Sequence, residues 1–546
     1  MRDIRQVIIR PQLDCSVRRL GPLPHFAEDR FHLPVRWAVA CFLTLLASSH
    51  PTSLMAQQSG TPAQSQAVQL PASGRSVPSI GTVSSQQVTS LVGADVVQPS
   101  VAVTGSYQGS IPGAAVPSGP LKLSLVDAVK RGLQTNLGIV TAGVASSTVR
   151  AQRAQALSQL LPQITAGLGA TETQINLAAY GLNTIGTSQA AGAFPTVVGP
   201  FHYVQALGNL NWNALSLTNI RNLQTAGEVD RATRLSERDT RELVVLAVGG
   251  SYLQTISTAA RVDAQRLQVK YAQAIYDRAT TQLAAGTNTR VDLTRSLVQL
   301  QAEQERLLSL EGDYQQQKIA FARLIGLPQT TEIVFSEPLK PHLLEPVDES
   351  RALRAAFENR LDLRAAHAQL RAAERALSAA RAERLPSVSF TGYYGAMGTE
   401  PTSSHGVFVA SGTVNIPVFD GGRIGADSRQ AEATLRQRQS EYLDQKGQVE
   451  QEVRNVLIRL RTAAGQVRLA ELNRQYALET LTMVQDRFNA GVTTTVEVVQ
   501  AQQQQASADN DYISSLFALN LARLTLARAT GNAEAAMTSL FPGSQP

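Results

Sequence analysis

The residues of this chain best placed to do chemistry are two acids in repeated surroundings. Asp292 closes the phrase "AAGTNTRVD" and Glu497 closes "NAGVTTTVE", 205 positions later, each six residues beyond a glycine, Gly286 or Gly491. Negative charge just after turn-forming residues is favoured at the start of a helix without any further role. The other reactive residue types are poorly arranged for catalysis. The histidines, His25, His32, His50, His202, His342, His367 and His405, are too scattered for local metal-site spacing. No CxxC, HExxH, GxSxG or Walker phosphate loop occurs, so an enzyme, a cofactor and a resident metal are all unsupported.

A phrase repeated at a fixed distance needs repeated elements to position it. Before each Ala-Gly phrase the chain is rich in Ala, Leu, Gln, Arg and Glu, from about Leu217 to Ala285 and again from about Arg423 to Ala490. Each stretch predicts a helix roughly 100 Å long at 1.5 Å rise per residue. Gly249-Gly250 weakens the first of them, and close helix packing explains a glycine pair there. After each phrase a returning helix is expected. Leu293, Leu300, Leu307, Tyr314 and Phe321 recur every seven residues, and their counterparts are Val498, Gln505, Tyr512, Leu519 and Leu526. All except Gln505 are apolar or aromatic, as a coiled-coil seam requires. Gly326 and Gly531, again 205 apart, are placed to end the two helices. The Ala-Gly phrases are thus the tips of two long helical hairpins.

The duplication extends upstream. "AVKRGLQTNLGI" from Ala128 matches "ALRAAFENRLDL" from Ala352 at an offset of 224, and the helical stretches that follow end at Leu161-Pro162 and Leu385-Pro386, where proline stops a helix. Beyond the prolines the apolar period becomes two. Ile164, Ala166, Leu168 and Ala170 alternate with polar or small residues, as do Val388, Phe390, Tyr394 and Ala396. A second strand follows in each half, through Val204, Ala206, Leu210 and Trp212, and through Phe408, Ala410, Val414 and Ile416. Each strand has one apolar and one polar face. "LNWNALSLTNI" from Leu210 aligns with "VNIPVFDGGRI" from Val414 at an offset of 204. The first strand-to-strand loop is therefore longer, and its excess falls within Glu172 to Phe201.

Composition bounds the remainder. Only 5% of the 546 residues are aromatic, which suits a long, thin helical protein better than several compact cores. The net charge of +6 is half accounted for by residues 1–36, with seven Arg against four acids. The dispersed remainder gives no footprint for nucleic acid. "WAVACFLTLLA", residues 37–47, follows that Arg-rich leader and reads as a secretory signal with cleavage near Ala56, too short to span a membrane. Cys15 and Cys41 both precede that point, so no disulfide is expected in the exported chain. The organisation expected is a signal peptide over 1–56, a flexible Ser/Gln/Gly/Pro-rich arm over 57–120, a first structural repeat over 121–336, a linker over 337–348 and a second repeat over 349–546.

Four strands cannot close a barrel, and nothing in the sequence covers their polar face, so association is expected. Strands apolar on one face and polar on the other are the signature of an outer-membrane barrel with a watery lumen. From Leu121 to Leu540 the chain resembles the TolC-type outer-membrane efflux protein family. The carriers are "LLPQITA" and "RLPSVSF", "VNIPVFDGGRIGADSRQAEA", "SYLQT" and the two Ala-Gly tips.

The resemblance implies a mostly α protein with a small β part. It implies a homotrimer with a twelve-strand barrel in the bacterial outer membrane and a twelve-helix tunnel in the periplasm. Such a duct exports small molecules or proteins, contacts outer-membrane lipid, and docks to a periplasmic adaptor and an inner-membrane transporter. The family's docking tips correspond to Ala285, Gly286, Thr287, Asn288 and Thr289, and to Ala490, Gly491, Val492, Thr493 and Thr494. Its periplasmic constriction corresponds to Asp292, Arg295, Glu497 and Gln500. Thr493 stands where some members carry a basic residue, which leaves Arg295 or Arg290 to pair with Asp292. The competing expectation is a periplasmic coiled-coil scaffold or adaptor without a channel. Exposure of Trp212, Phe390 and Tyr394 separates the two, because a soluble sheet would hide them.

Overall fold

The computed structural model describes residues 83–87, 97–101, 107, 109–111, 119–180, 196–287, 289–336 and 347–535. The expected signal peptide over 1–56, Asn288 and most of the expected 337–348 linker lie outside them. The chain divides into residues 1–64, which are not among those described, and 65–546, to which everything below refers.

The first half runs β3 (Leu121–Leu123), α1 (Leu125–Thr135), α2 (Leu137–Ser158), β4 (Gln163–Asn176), β5 (Val197–Leu215), α3 (Leu217–Ala284), α4 (Arg290–Leu324) and β6 (Ile333–Phe335). The second half runs α5 (Glu349–Asn359), α6 (Leu361–Ala382), β7 (Ser387–Gly398), β8 (His405–Asn415), α7 (Arg423–Asn489) and α8 (Thr495–Ala529). Capping chemistry sets the helix starts. Ser124 Oγ accepts from the Asp127 N–H at 3.1 Å, Ser216 Oγ from Asn219 at 3.2 Å, and Asp348 Oδ2 from Arg351 at 3.1 Å, each satisfying a backbone donor that the helix cannot. Asp420, the counterpart of Ser216, accepts from the N–H groups of Gly422 and Ile424 at 3.0 and 2.7 Å.

Helices α3 and α7, of 68 and 67 residues, have the lengths expected. Each folds back on its returning helix, α3 on α4 and α7 on α8. None of the ten heptad positions is exposed; Leu300, Phe321, Val498, Gln505, Leu519 and Leu526 are buried and the others half-buried. One 18-residue window of α3 is apolar enough to cross a membrane, yet 78% of it is buried. That stretch belongs to the main core, where Tyr252 packs edge-on against Phe321 and Phe335 at 6.0 and 5.2 Å between ring centres. A parallel pairing of β3 with β6, Leu121 opposite Ile333, closes this core.

The repeat goes deeper than periodicity reveals. The helix expected after Ala128 breaks at Asn136, and the one after Ala352 breaks at Arg360, 224 residues later; both residues take extended backbone angles. Both are buried. Asn136 Nδ2 donates to the Tyr107 carbonyl and its Oδ1 accepts from the Gly138 N–H, both at 2.8 Å. Arg360 donates to Asp362 at 2.7 Å and to Glu452. The glycines that end α4 and α8 seat against these breaks: a Cβ on Gly326 would lie 2.6 Å from Thr135, and one on Gly531 2.8 Å from the Asn359 backbone.

A buried ionic group sits beside the second break. Arg528 Nη2 lies 2.8 Å from Asp239 Oδ1, an ion pair by distance, since that oxygen accepts no aligned hydrogen bond. Burial pushes the Asp239 carboxyl up to about 6, against the pull of Arg528. Burial acts on Asp362 in the same sense, but hydrogen bonding to Arg360 prevails and holds it below the usual range.

Two expectations need correction. Within the stretch expected as a flexible arm, 57–120, Val83–Gln87 (β1) pairs antiparallel with Val97–Val101 (β2), and β2 lies against α3 and α8. Tyr107 is buried because Asn136 holds its carbonyl and the apolar ring fills space beside Gly138. The expected loop Glu172–Phe201 is also partly strand. Pairing continues past an irregularity at Thr173 to Ile175 opposite Val198 and Asn176 opposite Val197.

Candidate functional site

The four long strands form one antiparallel sheet in the order β4-β5-β7-β8. Directly opposed residues in such a sheet share a face, so the register assigns every side. Ile164 faces Leu210, which faces Gly392, which faces Ala410. The next row runs Ala166, Gly208, Tyr394, Phe408, and a third joins Trp212, Phe390 and Gly412. The opposite face runs Gln163, Asn211, Thr391, Ser411 and then Thr165, Asn209, Tyr393, Val409. One face is thus apolar across all four strands and the other predominantly polar. The apolar face is bare: Trp212, Phe390 and Tyr394 are 37%, 43% and 76% exposed. Trp212 stacks on Phe390 with ring centres 5.9 Å apart and donates its indole N–H to the Leu160 carbonyl at 3.0 Å.

The helix tips lie the length of α3 from this sheet, about 100 Å at helical rise. Gly286 and Gly491 have φ of +74° and +75°, a left-handed conformation that glycine adopts without penalty. The following N–H returns to the helix, Thr287 to the Gln282 carbonyl at 2.9 Å and Val492 to Arg487 at 3.0 Å. Ala285, Gly286, Thr287, Thr289, Ala490, Gly491, Val492 and Thr494 are exposed and Thr493 is half-buried. Asn288 lies outside the described residues.

The expected constriction residues divide. Asp292 belongs to the cap of α4: its N–H donates to Thr289 Oγ1 at 3.2 Å, and its carboxylate accepts from the same hydroxyl at 2.5 Å. Arg295 rather than Arg290 pairs with it, at 3.7 Å. Glu497 accepts from the Thr493 hydroxyl. Arg295 and Gln500 share a groove of about 670 Å³ between the first turns of α4 and α8, walled by Val291, Val298, Val496 and Val499. Glu497 does not line it. Sequence reasoning missed the link between the tips, in which Arg278 of α3 donates to Asn489 and lies over Phe488 of α7. Equal offsets show which positions correspond, but not which touch.

These features define a protein with a bare apolar sheet face near one end of its long helices and paired glycine turns at the other. Residues 352–532 match the family described as "Outer membrane efflux protein". The pyoverdine export outer membrane protein OpmQ of Pseudomonas putida is 27% identical over 37% of this chain, and the outer membrane protein OprJ of Pseudomonas aeruginosa is 26% identical over 55%. Those alignments span 43% and 64% of the two relatives, less than two thirds of either. The Campylobacter jejuni CmeC outer membrane channel superposes with a TM-score of 0.66 over 80% of this chain and 94% of its own, at 14% identity, a likeness of fold. The chain is thus similar to outer membrane efflux proteins through residues 352–532 and shares its fold with the solved channel. The relatives matched are outer membrane proteins.

Proposed function

We propose that three copies form a duct through which small molecules or proteins leave the cell. The observation that carries this reading is the register of the sheet, which gathers the apolar residues of four strands on one uncovered face. Lipid is the partner such a face fits. β4 and β8 are both free edges among the described strands, and exposed edges invite pairing with another chain. Two copies would supply eight strands, a barrel that side chains nearly fill, whereas three supply twelve and leave a lumen.

The helices support the same assembly. On α4, Val291, Val298, Leu308 and Ile319 are exposed at heptad spacing, and on α7 so are Ile458, Leu469, Leu472, Tyr476 and Met483. Each is a second seam in addition to the one used within the hairpin. Two different faces that meet between neighbours make a head-to-tail contact, which closes into a ring.

On this reading the exposed turns at 285–289 and 490–494 dock a periplasmic adaptor coupled to an inner-membrane pump. Asp292, Arg295, Glu497 and Gln500 surround the narrow periplasmic entrance, where acidic side chains favour cations. The test is mass in detergent together with conductance in a planar bilayer. The expected result is steady conductance from a species of three chains, altered by Glu497→Ala. A monomer without conductance overturns the proposal.

A further inference from the structure

The internal repeat contains a template for the contact between copies. Adding 224 to a β4 residue and 204 to a β5 residue gives their counterparts in β7 and β8. The pairing obeys this mapping: Gln163 opposite Asn211 becomes Ser387 opposite Asn415, and Ile164 opposite Leu210 becomes Val388 opposite Val414. The two halves of the sheet therefore have one register. They are joined by β5 against β7, where Asn209 faces Tyr393, Asn211 faces Thr391, Trp212 faces Phe390 and, past an irregularity, Leu215 faces Val388. The free edges are the counterparts of that junction, β8 standing for β5 and β4 for β7.

We propose that β8 of one copy pairs antiparallel with β4 of the next in the register the repeat dictates, with Thr413 opposite Gly169, Asn415 opposite Gly167, and Phe419 beside Ile164. The inference rests on the duct reading and adds to it the residues that meet. It keeps faces matched, Val414 with Leu168 on the apolar side and Ser411 with Thr171 on the polar side, as any barrel must. It also accounts for a bare pair. Phe419 is 91% exposed and Ile164 is 76% exposed in the single copy, while their counterparts Leu215 and Val388 are already paired within the chain. The Trp212–Phe390 stack of the internal junction becomes Ile416 with Ala166, so the aromatic contact moves one pair along to Phe419.

A one-residue slip would exchange the faces, but a two-residue slip would not, so the test must resolve two residues. In a Cys15→Ser, Cys41→Ser background, four single cysteines suffice: Thr413→Cys, Asn415→Cys, Gly167→Cys and Gly169→Cys. No heavy atom lies within 4 Å of a Cβ at Gly167, and the closest to one at Gly169 is the end of the Gln205 side chain at 3.2 Å. Combined in pairs, 413 with 169 and 415 with 167 are matched, and the two crossed pairs represent a slip of two in either direction. Directly opposed positions come within disulfide reach and diagonal ones do not.

We expect the matched pairs to give covalent dimers and trimers on a non-reducing gel, with the crossed pairs slower by roughly tenfold. The in-chain pair Asn209→Cys with Tyr393→Cys, which must close in any case, shows that oxidation works at this depth. In a protein that is trimeric by mass, faster cross-linking of a crossed pair, or no cross-link beside a closed control, overturns the register and leaves the duct standing. A monomer overturns the duct. Phe419→Ser supplies an independent reading: the trimer should dissociate at a lower temperature while helix content is unchanged, and an unchanged trimer refutes the contact with Ile164.

Discussion

Arg278 of the first hairpin reaches across to the second. Its guanidinium carbon lies 5.1 Å from the ring centre of Phe488, and its N–H groups donate to Asn489, one residue short of the Ala490-Gly491 turn. A cation over a ring near the surface, such as the half-buried Phe488, contributes about 0.5–1 kcal/mol. Arg278→Ala is therefore expected to speed amide hydrogen exchange over 487–494 by about fivefold, with exchange around Tyr252 unchanged.

Gly249 and Gly312 make opposite predictions from the same substitution. A Cβ at Gly249 would come 2.6 Å from Leu524 Cδ2, whereas one at Gly312 meets nothing within 4 Å. Gly312→Ala should gain the helix-propensity difference, up to about 1 kcal/mol, and raise the melting temperature. Gly249→Ala should lower it through overpacking, by about 1–3 kcal/mol, and the same substitution should cost less when made in a Leu524→Ala background. A melting temperature raised by Gly249→Ala alone would deny the close approach of α3 and α8.

Asp239 gives the fold a pH dependence of predictable sign. Its folded-state pKa of about 6 exceeds the ordinary carboxyl value of 3.8, chiefly through burial. Between those values the folded state holds a proton that the unfolded chain releases, so stability falls as pH rises through the window. Asp362 is shifted downward, so its contribution is present above the window and is lost only at more acid pH. Asp239→Asn should melt with the native protein near pH 4 and be the more stable of the two by pH 7. Parallel melting curves at both pH values would refute the shift.

Asn136 is the anchor of the arm. Replacing it by Ala removes the cap on the Gly138 N–H and leaves the Tyr107 carbonyl without its donor, a loss of about 1–3 kcal/mol. Limited proteolysis should then cut near residue 107 several times faster, with the heptad seams still protected. Equal cleavage rates would mean that the arm is held elsewhere.

Much of this fold is legible in the sequence because it is written twice. The 205-residue offset locates both tips, and the offsets of 224 and 204 make the two strand pairs equivalent, while the register itself appears only in the pairing. The pairing of Arg295 with Asp292 follows from three-residue spacing on a helix. The helix breaks at Asn136 and Arg360 are another matter. Neither has a proline to announce it, and besides the local cap of Asn136 on Gly138 what fixes each break is tertiary: the Tyr107 carbonyl and Gly326 in one case, Asp362, Glu452 and Gly531 in the other. Likewise β1 and β2 lie in a stretch with almost no charge or period, so nothing local distinguishes them from a linker. Arg278 is invisible for a third reason, since a link between two tips depends on how the hairpins lie side by side.

The bare apolar face of the sheet has a consequence in time as well as in space. On the duct reading, a new copy must carry Leu168, Tyr394 and Phe408, each at least three-quarters exposed, through water before any lipid or neighbour covers them. The hairpin seams bury their apolar residues within one chain and need no such meeting. Assembly should therefore run from the helices toward the sheet, with strands completed last, at the membrane surface and in company. A copy stranded alone in water is an aggregation hazard, and its helices are formed before its sheet finds a partner.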